Sequence, residues 1–249
     1  MHGVVPAWLG HGAGSLNGIA SLLDHTLLAP DATAAHISTL ADQGRALGVA
    51  GACVDGAWTR VVRERLTGSP VRTVVVIGFP HGAMATRVKA FEARVAREDG
   101  AQELDMVMAL GRAKAGEWDA VRDDVAAVVD AADGLPVKVI IESILFEPIE
   151  IVEACLVAIE AGARFVKSST GFHPAGGARE SSVWLMRRAV GNDFGVKASG
   201  GIRSVEQAIR MVSAGANRIG TSGAPEMVAE QGNPTPTLQA LFARHAPHD

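Results

Sequence analysis

Short apolar runs alternate along the chain with longer segments whose hydrophobic residues recur at helical spacing. The apolar runs are rich in β-branched residues and end at Gly, Pro, Asp or Ser, which is typical of buried strands. Eight runs are predicted strands: Ile19–Leu23, Gly51–Val54, Arg72–Ile77, Glu103–Met108, Val137–Glu142, Phe165–Ser168, Gly195–Ala198 and Arg218–Gly220. The alternation predicts repeated βα units and therefore a parallel sheet.

The segments between these runs have the period of amphipathic helices. One of them places large hydrophobic residues on a single face: Met84, Val88, Phe91 and Val95. The charged residues from Arg87 to Asp99 are expected on a solvated face of the same helix. Asp31 and Ser204 each precede a helical segment and are predicted N-caps, because their side-chain oxygens can accept a hydrogen bond from a free backbone N–H.

The pattern favours one (β/α)8 TIM barrel, because eight βα units fit within 249 residues that show no break in composition. A doubly wound open sheet is the competing α/β fold. Its commonest dinucleotide-binding form needs Gly-x-Gly-x-x-Gly between the first strand and its helix, and that motif is absent. We expect residues 19–230 to form the barrel, with a loose N-terminal extension over residues 1–18 and a C-terminal tail over residues 231–249.

Charge and cysteine content exclude several classes of protein. A formal net charge of −4 without a Lys/Arg cluster argues against nucleic acid or an anionic membrane as partner. No apolar run approaches the ~18 residues of a membrane span, and residues 1–18 lack the basic start of a signal peptide. Cys53 and Cys155 lie in apolar segments, so a reducing compartment and a cytoplasmic location are expected.

Lysine is rare in this chain and unevenly placed. Of 23 basic residues only five are lysines: Lys89, Lys114, Lys138, Lys167 and Lys197. The last three follow a valine inside predicted strands, which is an unusual place for a surface charge. Arginine stays protonated in proteins, whereas lysine can lose its proton, and only a neutral amine attacks a carbonyl.

Lys167 and Lys197 are thirty residues apart, the length of one βα unit, so their strands should be neighbours. Repulsion between two ammonium groups in a partly dry site is expected to lower the pKa of at least one amine, which yields a nucleophile able to form a Schiff base. Asp105, on the inward face of the fourth predicted strand, can move protons directly or through water. The alternative is structural: the lysines extend to the rim and Asp105 pairs with one of them.

Glycine and hydroxyl residues after the last two strands predict a phosphate site, as is common in such barrels. Gly200-Gly201 follows the seventh strand and Gly220-Thr221-Ser222 follows the eighth. Thr170 is expected to line the same cavity. The alternative is that these glycines only terminate strands.

Other polar residues are expected to have structural roles. The histidines form no metal-binding motif, so no metal is expected. His25 and His81 are assigned structural hydrogen bonds, and Cys53 is assigned to the core. Lys138 and Glu142 share one face of the fifth strand and are predicted to form a buried ion pair beneath the site.

Taken together, these segments resemble the deoxyribose-phosphate aldolases, a family of lysine-dependent aldolases with a (β/α)8 barrel. The matching runs, in family order, are Asp24 to Leu28, Val76 to Pro80, Asp99 to Asp105, Lys138 to Glu142, Lys167 to Phe172, Gly195 to Arg203 and Arg218 to Ser222. The resemblance implies that Lys167 forms the Schiff base, Lys197 perturbs it and Asp105 transfers protons. It also implies that Gly171, Gly200, Gly201, Gly220, Thr221 and Ser222 lie in or near a phosphate site.

The same resemblance implies cleavage of 2-deoxy-D-ribose 5-phosphate in nucleoside catabolism, with no cofactor and with small phosphorylated sugars and aldehydes as the partners. It leaves a homodimer open. Two departures bear on substrate preference: Asp55-Gly56 stands where Pro or Asn is common, and the chain has no tyrosine for its tail. Two other functions are therefore weighed, the same chemistry on another sugar or aldehyde, and a phosphate-binding barrel without catalysis.

Overall fold

Eight parallel strands pair with their sequence neighbours, and the first also pairs with the eighth, so the sheet closes into a barrel. The computed structural model describes residues 6–9 and 18–245. The strands are β1 (Leu23–Thr26), β2 (Gly51–Val54), β3 (Arg72–Ile77), β4 (Glu103–Val107), β5 (Val137–Ile140), β6 (Phe165–Lys167), β7 (Gly195–Ser199) and β8 (Arg218–Thr221). Closure confirms the predicted TIM barrel and excludes the open sheet.

Helices follow the strands and cover the outside of the barrel. They are α1 (Ala34–Leu47), α2 (Thr59–Arg65), α3 (Thr86–Glu98), α4 (Leu110–Lys114), α5 (Trp118–Ala132), α6 (Pro148–Glu160), α7 (Glu180–Val190), α8 (Val205–Ala214), α9 (Ala224–Glu230) and α10 (Leu238–His245). Within the described ranges, none of these helices is long and apolar enough to cross a membrane.

Strand alternation separates an apolar layer from a charged one. In β4, Leu104 and Met106 belong to the apolar core shared with the helices. Glu103 and Asp105 occupy the alternate positions, which face the barrel axis because successive side chains of a strand point to opposite faces. The barrel therefore directs a set of buried charges inward while its outer face packs against helices.

The predicted bounds of β1 and β5 differ most from the structure. Strand β1 begins at Leu23 because Ala20–Leu22 forms a turn of 3-10 helix, whereas the prediction started at Ile19. Strand β5 ends at Ile140, and Glu142 has a φ of 49°, a left-handed conformation that no strand continues.

One of the two predicted N-caps is correct. The Ser204 hydroxyl accepts a hydrogen bond from the Gln207 backbone N–H at 3.1 Å, as expected. Asp31 is wrong, because α1 begins later and is capped by Thr33, whose Oγ1 accepts from the His36 backbone N–H.

The apolar face predicted for α3 lies on the protein surface. Phe91 is 60% exposed and Val88 is 48% exposed, and the large residues at both ends of this face are exposed as well. The buried residues of this helix are Lys89, Ala93 and Ala96. Small side chains allow α3 to pack closely, and a buried ion pair accommodates Lys89, so periodicity identifies the helix and not its inner face.

The C-terminal tail is packed on the barrel over part of its length. Helix α10 buries Leu238, Leu241 and Phe242 in the apolar core, because its hydrophobic residues recur at helical spacing. Most of the predicted N-terminal extension, and residues 246–249, lie outside the described residues. Within the part that is described, the Trp8 indole N–H donates to the Val212 carbonyl at 3.1 Å.

Candidate active site

Two lysines and one carboxylate meet inside the barrel near the carboxyl ends of the strands. Lys167 of β6 and Lys197 of β7 are register partners, so the two amines start at the same level. Both Nζ atoms donate to one oxygen of Asp105, Oδ2, at 2.8 Å from Lys167 and 2.7 Å from Lys197. The structure brings together the three residues that the sequence singles out for catalysis.

Lys138 also belongs to this site, and its predicted ion pair with Glu142 is wrong. Its Nζ lies 2.7 Å from Asp105 Oδ1 and 2.7 Å from Glu103 Oε2. Lys138 is the register partner of Asp105, which places the two side chains side by side on the barrel axis. Glu142 lies beyond the end of β5 and accepts hydrogen bonds from Thr170 instead.

Asp24 and Arg218 complete the arrangement, and the sequence patterns do not single out either residue. Asp24 Oδ2 accepts from Lys197 Nζ at 2.5 Å, and Asp24 Oδ1 accepts from Arg218 Nη1 at 2.8 Å. Arg218 Nη1 also lies 3.3 Å from Glu103 Oε2. Asp24 could have been found in the sequence as an acidic residue next to apolar ones at the start of β1. Asp105 stands in a similar apolar setting.

We call these seven residues the charge cluster: Asp24, Glu103, Asp105, Lys138, Lys167, Lys197 and Arg218. Burial disfavours the ionised form of Asp105, yet the Lys138, Lys167 and Lys197 ammonium groups hold its pKa well below its usual range. Burial likewise disfavours the charged form of Lys197, but Asp105 and Asp24 raise the pKa of this amine above its ordinary value. The expected repulsion between ammonium groups therefore does not neutralise Lys197, because two carboxylates lie against it.

A cavity of about 380 Å³ opens above the charge cluster. It is lined by residues 26–30, 167, 170–172, 199–203 and 220–222. Of the cluster's lysines, Lys167 is the one that lines this cavity, whereas Lys138 and Lys197 are fully buried beneath it. The amine of Lys167 is therefore the amine that a molecule in the cavity meets.

All seven residues predicted to bind substrate or phosphate line this cavity: Thr170, Gly171, Gly200, Gly201, Gly220, Thr221 and Ser222. The loops after β6 and β7 approach each other closely there. Gly171 and Gly200 have φ angles of 81° and 92°, and a Cβ built on Gly171 would lie 3.5 Å from the Gly200 Cα. Glycine permits both the left-handed backbone and this approach.

Some lining residues differ from the prediction in what they offer a ligand. The Thr221 hydroxyl donates to the Ile202 carbonyl at 2.8 Å and accepts from the Gly223 N–H at 3.0 Å, so its hydrogen is committed within the protein. Arg203, which the sequence patterns do not single out, adds a cation beside Gly200 and Gly201. Its position two residues after Gly201 is the available signal in the sequence.

Two of the remaining candidates, His25 and Cys53, occupy structural positions. His25 Nε2 lies 3.1 Å from Gln43 Oε1. Cys53 packs in a small apolar cluster with Val74 and Val76, and burial raises the pKa of its thiol to about 11. His81 is exposed. The structural assignments of His25 and Cys53 are thus confirmed.

Comparison with known proteins gives the chain a family. Residues 19–226, which include every strand of the barrel, match the model of the DeoC/LacD family aldolases. The deoxyribose-phosphate aldolase of Geobacillus sp. is 48% identical over 85% of this chain and 95% of its own length. That of Clostridium tetani is 47% identical over 85% of this chain and 98% of its own length.

A solved structure gives the same result for the fold. The deoxyribose phosphate aldolase of Aeropyrum pernix, described as a tetramer, superposes with a TM-score of 0.78 at 36% identity, over 84% of this chain and 88% of that one. Sequence and structure agree over the whole barrel. The chain therefore belongs to the DeoC/LacD family of aldolases, enzymes that break and form carbon–carbon bonds.

Proposed function

We propose that this aldolase reversibly cleaves 2-deoxy-D-ribose 5-phosphate into acetaldehyde and D-glyceraldehyde 3-phosphate through a Schiff base on Lys167. One observation carries the proposal: Lys167 reaches the cavity from the charge cluster, and the same cavity extends to the glycine loops after β7 and β8. An amine at one end and a phosphate site at the other match an aldehyde that carries a terminal phosphate. The substrate named in the relatives supports this choice.

The charge cluster holds more cationic side chains than carboxylates. Its ion pairs join three carboxylates to four cationic side chains. With all of them ionised, the buried cluster carries one excess positive charge, which a low-dielectric interior disfavours. Lys167 is the lysine of the cluster that meets the cavity, where the covalent route uses a neutral amine.

The neutral amine adds to C1 of the open-chain sugar, and the resulting carbinolamine loses water to form an iminium ion. The iminium withdraws electrons from the C2–C3 bond. As this bond breaks, the C3 hydroxyl loses its proton and becomes the aldehyde of D-glyceraldehyde 3-phosphate. C1 and C2 remain on Lys167 as an enamine, which is protonated at C2 and hydrolysed to acetaldehyde.

Asp105 is the proposed proton carrier, and Lys197 is the proposed fixed cation beside it. Asp105 Oδ2 accepts from both amines within 2.8 Å, so proton transfer at Lys167 needs no movement of the backbone. Lys197, held charged by Asp24 and Asp105, keeps a positive charge next to the reacting nitrogen throughout the cycle.

The phosphate is proposed to bind at the backbone of Gly171, Gly200 and Gly201, with Arg203 as the cation beside them. These groups lie away from the reacting bond. Their binding energy therefore holds C2 and C3 in position for cleavage without taking part in it. Two buried, unpaired cysteines fit a reducing compartment such as the cytoplasm, where a step of nucleoside catabolism would operate.

Reductive trapping tests this proposal directly. The protein is incubated with 2-deoxyribose 5-phosphate or with acetaldehyde, reduced with borohydride, digested and analysed by mass spectrometry. We expect the adduct on the peptide that contains Lys167, and none on the peptides that contain the buried Lys89 or the exposed Lys114 as internal controls. An adduct confined to another lysine, or no adduct during turnover, would remove the proposed role of Lys167.

A further inference from the structure

We infer that Glu142 is a positioning residue that fixes the hydrogen-bond polarity of Thr170, and that Thr170 thereby selects substrates with a hydroxyl group between the aldehyde carbon and the phosphate. The inference rests on the proposed function, because it assumes Lys167 at the aldehyde end of the cavity. Glu142 itself is outside the charge cluster and does not line the cavity.

Glu142 is a buried carboxylate with few partners. The residue is 1% exposed and lies in the left-handed region just after β5. Its Oε2 accepts from the Thr170 hydroxyl at 2.5 Å and from the Thr170 backbone N–H at 3.2 Å. Its Oε1 has no hydrogen-bond partner within the described part of the chain. Because a buried carboxylate needs donors, the two hydrogen bonds from Thr170 are the ones that stabilise it there.

These contacts determine what the Thr170 hydroxyl can offer. A hydroxyl group has one hydrogen and two lone pairs. The hydrogen is donated to Glu142, and one lone pair accepts from the Phe172 backbone N–H at 3.1 Å. One lone pair remains, and Thr170 lines the cavity. Toward a ligand that its hydroxyl reaches, Thr170 is therefore an acceptor and cannot donate.

The chemistry of the ligand follows from this polarity. A carbonyl oxygen or a phosphate dianion offers only lone pairs and is repelled by an acceptor, whereas a hydroxyl group donates to it. Thr170 lines the same cavity as Lys167 and Gly171. In 2-deoxyribose 5-phosphate, the hydroxyls at C3 and C4 lie between the aldehyde carbon and the phosphate. Thr170 thus favours one orientation of the substrate, with the phosphate at the glycine loops.

The variant E142Q tests the inference. The side-chain amide keeps the size of Glu142 and removes its charge. Its neutral oxygen is a weaker acceptor than a carboxylate, so the threonine hydrogen is no longer held away from the cavity. We expect kcat/KM for 2-deoxyribose 5-phosphate to fall about tenfold or more, mainly in kcat. Trapping of acetaldehyde on Lys167 with borohydride should change by less than about twofold, because acetaldehyde has no hydroxyl group to orient.

A double-mutant cycle with T170V shows whether Glu142 acts through Thr170. In the T170V background, E142Q should cause no further loss of cleavage, since there is no hydroxyl left to orient. S143A is the matched control: Ser143 is the buried neighbour of Glu142, and among the residues that the structure describes its hydroxyl has no hydrogen-bond partner. Its removal should leave cleavage unchanged. Should E142Q not fold, E142D keeps the charge and tolerates positive φ, but its shorter carboxylate cannot reach Thr170, so the same selective loss is expected.

Each outcome decides between distinct ideas. A selective loss of cleavage with normal acetaldehyde trapping supports the inference. Equal losses of cleavage and trapping, or full additivity of E142Q and T170V, would mean that Glu142 only supports the fold and would overturn it. Unchanged cleavage in E142Q would also overturn it. Absence of any Lys167 adduct in the unmodified enzyme would instead contradict the proposed function.

Discussion

Two buried lysines of this chain, Lys89 and Lys167, differ in what surrounds the amine. Lys89 Nζ donates to Asp124 Oδ2 at 2.8 Å and to the Val107 carbonyl at 3.0 Å, between α3 and α5. Thr86 donates to the other oxygen of Asp124 at 2.9 Å, so both carboxylate oxygens have partners and the ion pair is buried. Lys167 shares one oxygen of Asp105 with a second lysine and lines a cavity.

The difference shows that a buried lysine with a perturbed pKa is not by itself a nucleophile. Burial lowers the pKa of Lys89, although Asp124 opposes the shift, and yet nothing outside the protein reaches that amine. Lys167 has access to a cavity and lies in a cluster with more cations than carboxylates. Access and an unbalanced charge, rather than burial, distinguish the amine that we assign to catalysis.

Replacing the nucleophile should have the largest effect. K167R keeps a positive charge beside Asp105, but a guanidinium does not lose its proton and cannot form the Schiff base. We expect cleavage of 2-deoxyribose 5-phosphate to fall at least about 10⁴-fold in a steady-state assay. Unfolding in urea, measured in parallel, should show a folded protein. Turnover within tenfold of the unmodified enzyme would contradict the covalent route.

D105N should reduce both catalysis and stability. The amide accepts fewer hydrogen bonds from the three ammonium groups and cannot carry the proton, so kcat should fall about 10²–10⁴-fold. Buried cations left without their carboxylate should cost about 3–5 kcal/mol of the free energy of unfolding. A variant that loses stability while keeping kcat would show that Asp105 is a structural ion-pair partner only.

K89M tests whether the buried Lys89 has a purely structural role. The buried carboxylate of Asp124 loses its cation, so the free energy of unfolding should fall by about 3–5 kcal/mol. The kcat of the folded protein should stay within about twofold, because Lys89 is closed off from the cavity. The double variant K89M/D124L, which removes both charges, should recover much of the stability. A large loss of kcat in folded K89M would contradict a purely structural role for Lys89.

The smallest effect is expected from Asp55, a half-buried acid. A carboxylate lies near Asp55, whereas ammonium groups lie around Asp105. Burial, together with the nearby Glu92, raises the pKa of Asp55 to about 6. The folded state then binds more protons than the unfolded state between pH 4 and 6, so stability falls as the pH rises through this range. Above pH 6 the destabilisation is complete.

D55N should remove this contribution. It should therefore be more stable than the unmodified protein at pH 8, by an amount on the order of 1 kcal/mol after allowance for solvent screening of the partly exposed group. The difference should vanish near pH 4, where both forms are uncharged at this position. Urea unfolding at the two pH values measures it, and a difference independent of pH would contradict the assignment.

The strands and the first members of the site could be predicted from sequence because they depend on local patterns. The bounds of β2 and β3 are as predicted, since turn residues follow both strands and β-branched residues fill most of β3. Lys167, Lys197 and Asp105 converge because strands of a parallel barrel present their carboxyl ends together. Neither prediction depends on how the residues of neighbouring strands are aligned.

The rest depends on register and on partners from distant elements. Lys138 meets Asp105 because β4 and β5 align these residues, and a slip of register would give it other partners. Arg218 and Asp24 meet only because β8 closes onto β1. Likewise, the burial of Lys89 needs Asp124 from α5, so the inner face of α3 cannot be found from its own sequence.

The enclosure of the charge cluster also separates two responses to ionic strength. Dissolved potassium and chloride ions screen charges that water surrounds, and they reach few of those sealed inside a barrel. Asp24, Asp105, Lys138 and Lys197 are each 0% exposed, so their mutual attraction should persist in concentrated salt. The rate of cleavage should then change little in concentrated salt, whereas the affinity for a phosphorylated sugar should fall.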